Sequence, residues 1–330
     1  MKHLITIFIF CIVLFLYLHI NHHYKTGNDL EIYTIEQPTK DKFEEICDIR
    51  QPVILDYNIN NVMQNCNLST IDDNYGAFDI KLRNTLITDN DNEIYLPIVL
   101  KEAIRLFEND TQNKFITENN TDFLEETGLI KHFKYNDEFL RPPMVINCLY
   151  DLWSGSVNAN TPLRYHLCYR NYFYVTSGKV KMKLIPPKYT KYLNIYKDHE
   201  NNEYRSPINP WDVQNIYKAE FDKVKVLDLE LETGSLIYIP AYWNYSICYT
   251  EMSCITIFKY RTLMNTVAIL PDLIMNILQN QNITRKKIKG KSVSKTITNK
   301  NTETSKIKAQ NSKSNMVKSS DENTSNVSNK

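Results

Sequence analysis

Leu4 to Ile20 is an almost unbroken apolar run of 17 residues, with Thr6 and His19 its only strongly polar members. At about 1.5 Å rise per residue it reaches the short end of a bilayer span. No face of it is polar, which disfavours a surface helix of a soluble domain. It ends in His19-Ile20-Asn21-His22-His23, without the small residues that precede a signal-cleavage site. The pattern predicts a retained single-pass anchor over residues 1–25, in contact with membrane through Leu4–Ile20. Lys2 lies on one side and Lys25 on the other, so charge leaves the orientation open. His19, His22 and His23 share a helix face and read as interfacial polar residues, since no acidic or cysteine partner is adjacent.

Residues 26–38 read as a linker. Thr39 is placed to cap a helix over 40–47 with Phe43, Ile46 and Cys47 on one face. Gln51-Pro-Val-Ile-Leu-Asp-Tyr follows as a strand. Pro97 is placed to open an amphipathic helix carrying Ile98, Ala103, Ile104 and Phe107. Thr121 or Asp122 caps a short helix that Gly128 ends. From Met144 the period changes to that of strands. Residues 144–150, 171–176, 180–185, 223–231, 236–239, 246–249 and 254–260 read as strands, with a bulge at Leu227. Val180, Met182 and Leu184 alternate with Lys179, Lys181 and Lys183, the mark of a half-buried strand. Gly178 and residues 250–253 are read as hairpin turns. Many short strands with turn punctuation predict an all-β barrel or sandwich. Residues 263–281 have helical character, broken at Pro271, with apolar residues nearly all round.

Charge changes this picture only at the end of the chain. The 330 residues carry a formal net charge of +1, but residues 285–330 hold twelve basic and three acidic residues. That stretch has almost no large apolar residues and reads as a disordered basic tail over 284–330, with anionic lipid or nucleic acid as its natural partner. The remainder is mildly acidic, which argues against a nucleic-acid surface on the folded part. Tyr, Asn, Lys and Ile are abundant and glycine is scarce, a mix that AT-rich coding produces, as in large DNA viruses and protists. Seven cysteines form no C-x-x-C pair and read as buried thiols, with Cys248 and Cys254 a weaker candidate bridge. Sequons at Asn67, Asn109, Asn119, Asn244 and Asn282 are expected by chance in so asparagine-rich a chain. Nucleophile-elbow, Walker, dinucleotide and zincin motifs are absent.

Two stretches together resemble the JmjC and cupin-like family of double-stranded β-helix proteins, especially the asparaginyl-hydroxylase type. The first is Thr161-Pro-Leu-Arg-Tyr-His, then Asn171, Gly178 and a strand ending in Pro186-Pro187. The second is Gly234-Ser-Leu-Ile-Tyr-Ile-Pro240, then Trp243 and Tyr245. Order and spacing follow the family from about residue 39 to 283, so the resemblance implies a mainly β, jelly-roll barrel with flanking helices and a C-terminal helical segment at 263–281 that dimerises. It also implies Fe(II) held by two histidines and a carboxylate, with 2-oxoglutarate beside it, its far carboxylate on a lysine.

The ligand positions depart from that pattern. Arg164 stands at the first histidine, His166 at the carboxylate and Tyr245 at the distal histidine. Val180 stands at the co-substrate lysine, with Lys179 and Lys181 on either side and Asn171 upstream. What remains is barrel-shaping: Gly178, Pro186, Pro187, Gly234, Pro240 and Trp243. A guanidinium cannot lose its proton and repels a divalent cation, so Arg164 reads as an arginine paired with a nearby Glu or Asp, or as an anion-binding residue. The expectation is a membrane-anchored, degenerate pseudo-oxygenase without catalytic or metal residues or a cofactor, acting as a binding or structural module. Two alternatives stand beside it: an oxygenase drawing ligands from His132, His199 or Cys168, and a small-ligand or glycan binder using the vacated pocket.

Overall fold

The computed structural model describes residues 2–56, 66–86, 95–199, 203–279 and 281. The chain divides into two compact units, residues 1–273 and 274–330. In the second, residues 274–279 and 281 are helical. The basic tail and Asn282 lie outside the described residues.

Among the described residues, fifteen strands build the first unit. They are β1 (Tyr33–Glu36), β2 (Val53–Asp56), β3 (Asp79–Asn84), β4 (Leu96–Val99), β5 (Phe115–Thr117), β6 (Val145–Gly155), β7 (Arg164–Tyr165) and β8 (Arg170–Ser177). There follow β9 (Lys179–Ile185), β10 (Tyr196–Asp198), β11 (Glu203–Arg205), β12 (Leu227–Glu232), β13 (Ser235–Pro240), β14 (Asn244–Tyr249) and β15 (Cys254–Thr262). One sheet runs β1-β2-β13-β8-β15-β6-β5-β3-β4 and the other β10-β11-β7-β14-β9-β12. From β6 to β9, and again from β12 to β15, the chain passes from one sheet to the other at each step. Two facing sheets laced in this way are the barrel that the resemblance implied.

That lacing corrects the two hairpins. β8 does not pair with β9; it lies between β13 and β15, while β9 lies between β14 and β12. Gly178 alone separates β8 from β9, one residue too few for the shortest common hairpin loop, and it turns the chain through φ +76°. A Cβ there would lie 2.4 Å from Ser253 Oγ, so the corner needs glycine. β14 and β15 likewise belong to different sheets, and Cys248 and Cys254 are free thiols on opposite sheets rather than a bridge.

Three boundaries also move. Pro97 sits in β4, the last strand of its sheet, where a missing N–H is tolerated, and the helix begins at Leu100 (Leu100–Glu108) with Ala103, Ile104 and Phe107 buried. β12 starts at Leu227 with unbroken register against β9, so the apparent bulge marks the strand's beginning. The stretch 26–38, read as a linker, supplies β1, which runs parallel to β2. The helix Lys40–Asp48 forms as its pattern predicts, with Thr39 Oγ1 accepting from Lys42 N at its start.

Two cores flank the large sheet. Inside the barrel are Trp153, Phe173, Val175, Val180, Met182, Leu184, Ile237, Tyr245, Ile255 and Ile257. On the other face, Tyr172, Tyr174, Tyr238, Phe258 and Tyr260 pack with Phe43, Phe123 and Phe133 from the helices Lys40–Asp48, Thr121–Glu126 and Ile130–Asn136. Strand β8 feeds both, its alternate residues facing opposite ways.

The N-terminal helix, Lys2–Tyr24, is long and apolar enough to cross a membrane by length and composition, a test that a signal sequence also passes. Its far end rests on the barrel domain. Tyr24 donates to Ala268 O (2.5 Å) in the helix Leu263–Ala268, and the buried His23 meets Tyr169 edge-on. Gly27 lies so close to Arg50 that a Cβ would come within 2.3 Å of its carbonyl oxygen.

Candidate functional site

The inward rows of the strands converge at one end of the barrel. Arg164 on β7 and Tyr245 on β14 are direct cross-strand partners. Tyr242 N donates to His166 O, which fixes the loop after β7 against the loop before β14. The hydroxyl of Tyr245 and Nε2 of His166 share a hydrogen bond of 2.6 Å. The structure therefore brings together the three residues standing at the family's ligand positions.

Two carboxylates close on the Arg164 guanidinium. Arg164 Nη1 donates to Glu203 Oε1 (2.9 Å), and Nη2 donates to Glu118 Oε2. Arg83 Nη1 donates to Glu118 Oε1 (2.7 Å) and Glu203 Oε1 (3.0 Å). The result is a buried ring of two arginines and two glutamates, contributed by β3, the end of β5, β7 and β11. Tyr95 OH adds a donor to Glu118 Oε1 (2.9 Å), and the Arg164 guanidinium stacks 4.4 Å from the Trp153 ring centroid.

The electrostatics follow from this packing. Burial alone would raise the Glu118 carboxyl, but Arg164 and Arg83 outweigh it and hold it well below the usual carboxylate range. Burial, then the cations Lys259, Arg164 and Arg261, push the His166 imidazole well below its ordinary value, so it is neutral. Burial raises the Tyr245 phenol, which keeps its proton.

A cavity of about 210 Å³ adjoins this ring. Arg164, His166 and Glu203 form one wall, and Cys168, Trp153, Tyr150, Leu149, Asp151, Lys259 and Arg261 are among the others. Asp151 is fully engaged: its Oδ1 accepts from Asn120 N and Leu152 N, its Oδ2 from Asn119 N and Trp153 Nε1.

The residues of the family's co-substrate region lie elsewhere. Val180 is in the barrel core, and Lys179 and Lys181 project from the outer face of β9, Lys179 paired with Glu232 at 2.7 Å. Asn171 ties β8 to β13 by donating to Ile239 O. The barrel-shaping residues hold the rim. Gly234 turns at φ +91°, Pro240 closes β13, Pro186 and Pro187 end β9, and buried Trp243 donates to Arg50 O. Asn244 is fully buried with its amide on Thr190, which removes it as a glycosylation site.

Sequence reading missed Glu118, Glu203 and Arg83, which come from distant, weakly patterned segments, and also Lys259 and Arg261. The last two had a signal: Ile255 and Ile257 face the barrel core, and continuing that alternation turns Lys259 and Arg261 inward.

A barrel of two laced sheets, with its metal-ligand positions gathered at one mouth, defines the cupin-like class. The cupin-like domain profile matches residues 38–265, and the chain belongs to that family. No curated protein matches the chain.

The iron that the resemblance implies does not fit these residues. The three ligand positions offer a fixed cation, a neutral imidazole whose Nε2 is engaged by a phenol, and that phenol. The two nearby carboxylates are consumed by Arg83 and Arg164. Among the described residues no three His, Cys, Asp or Glu side chains gather as a metal site. His132 lies on the helix Ile130–Asn136, His199 follows β10 beside Tyr204, and Cys168 lines the cavity between β7 and β8, so the alternative ligands come from three different elements.

Proposed function

We propose that this chain is a membrane-anchored, degenerate cupin-like protein that binds rather than catalyses. The observation that carries the reading is the Arg83–Glu118–Arg164–Glu203 ring, which ties the arginine at the first ligand position to both nearby carboxylates. A salt bridge of this kind costs desolvation on each side and is stable only as a complete set, so it excludes a divalent ion instead of awaiting one. The apolar helix Lys2–Tyr24 is the proposed single-pass anchor. A second copy joined through residues 263–281, and an anionic lipid or nucleic acid on the basic tail, belong to the same proposal.

The test is metal and turnover analysis of the full-length chain in detergent, after anaerobic incubation with Fe(II). The expected result is iron far below one per chain and no decarboxylation of 2-oxoglutarate. Near-stoichiometric iron with turnover would overturn the reading and favour the oxygenase.

A further inference from the structure

The side chains of Lys259 and Arg261 make no hydrogen bond or ion pair among the described residues, although both line the cavity beside the ring; the Lys259 ammonium lies 5.3 Å from the Trp153 ring centroid. Their position is unusual for cations. They extend the row of Ile255 and Ile257, so the strand aims them at the barrel interior, and Arg261 Nε is buried without a partner. The nearest carboxylate across β6, Asp151, already accepts four N–H bonds. Glu203 is held by Arg83 and Arg164. With Arg83 and Arg164 matched by Glu118 and Glu203, and the Asp151 charge set against Lys259, one positive charge is left over around a partly enclosed space. An uncompensated cation there costs free energy that an anion would recover, because charge-assisted hydrogen bonds strengthen where water is excluded.

Given the metal-free binding role just proposed, we propose that this cavity is the binding site of a small organic acid, with its carboxylate on Lys259 and Arg261. Size limits the ligand. A cavity of about 150 Å³ takes up benzene, so about 210 Å³ suits a body of some six carbons with one carboxylate. The walls favour an organic acid over phosphate: Leu149, Tyr150 and Tyr95 offer surface for an apolar body, and Asp151 and Glu203 disfavour a dianion. The forked guanidinium of Arg261 matches a planar carboxylate, and Lys259 supplies a point charge beside it. The lysines on β9 do not take part, because Lys179, Lys181 and Lys183 face outward.

The experiment is calorimetric titration of the full-length chain in detergent, with EDTA present and ionic strength fixed. The probes are benzoate and hexanoate, with benzamide as the uncharged isostere and inorganic phosphate as the ion without an apolar body. Benzoate or hexanoate should bind, benzamide and phosphate should bind at least tenfold more weakly, and Lys259→Met or Arg261→Met should each weaken the acid at least tenfold. Lys259→Arg should retain binding, and the melting curves of all variants check their folding. Absence of binding by either acid, equal binding of benzamide, preference for phosphate, or unchanged affinity in both methionine variants would overturn the proposal. Metal analysis of the same preparation separates the two readings. A metal-free chain that ignores both acids refutes this site alone, whereas acid binding that requires Fe(II) refutes this site and the metal-free role together.

Discussion

Replacing Arg164 by methionine removes one cation from the buried ring and keeps a side chain of comparable length. Glu118 and Glu203 then share a single guanidinium, that of Arg83. At about 4 Å and an effective dielectric near 20, each lost attraction is about 4 kcal/mol. The return of the Arg164 desolvation cost offsets part of the loss of two such attractions, and removing one partner of a buried pair leaves a net cost of about 3–5 kcal/mol. For a domain of this size, 1 kcal/mol moves Tm by about 2–4 °C, so the midpoint should fall by about 6–20 °C. The loss should also depend on pH. In the variant one carboxyl of the crowded pair is raised above its unfolded value, so the folded state binds the extra proton. The contribution of that proton is lost as pH rises, so the deficit relative to the unmodified chain is smaller at pH 5 than at pH 8. Circular-dichroism melts of both proteins at the two pH values measure this. A Tm change under about 2 °C, equal at both values, would show that the ring is not what holds the barrel mouth.

Three further outcomes are expected. The depressed His166 stays neutral in the folded state while the unfolded chain takes a proton below about pH 6.5, so stability should decline from pH 7 to 5; His166→Gln should flatten that decline, and an unchanged slope would remove His166 as its cause. Deleting residues 2–20, which leaves His22 to Tyr24 on the domain, should turn a carbonate-resistant membrane protein into a soluble one, and a full-length chain already soluble without detergent contradicts the anchor. Arg164→His alone should take up no metal because Arg83 still holds both carboxylates, whereas Arg83→Met with Arg164→His leaves an imidazole beside two carboxylates and should show visible Co(II) absorption; a colourless double variant that still folds would contradict the proposed geometry.

The strands and the barrel were legible because each carries its own period. The alternation of Val180, Met182 and Leu184 is local, as are the turns at Gly178 and Gly234. What alternation does not encode is which sheet a strand joins, and so one-residue corners were read as hairpins. Arg164, His166 and Tyr245 could be placed together only through the family's spacing, and the structure joins them. Their partners were not legible: Glu118 and Glu203 lie 46 and 39 residues from Arg164 and reach it only after the sheets close. Pro97 shows a different limit, since a proline suits the first turn of a helix and an edge strand equally well, and only the sheet order decides.

The docked end of the N-terminal helix changes what kind of object this protein is. A free 13-residue tether over 26–38 would let the barrel wander about 20 Å in any direction. Instead Tyr24, His23 and Gly27 clamp the helix to the domain, and Asn28 accepts from Lys188 N, so helix and barrel turn as one body. With the helix in a bilayer, as proposed, the barrel keeps a set height and tilt above the lipid. A torque on the helix within the membrane is then a torque on the rim: the Tyr24 ring lies 6.5 Å from that of Tyr242, whose backbone N–H holds the carbonyl of His166. A neighbour that rotates the anchor in the plane of the membrane would reshape the mouth of the cavity without touching it.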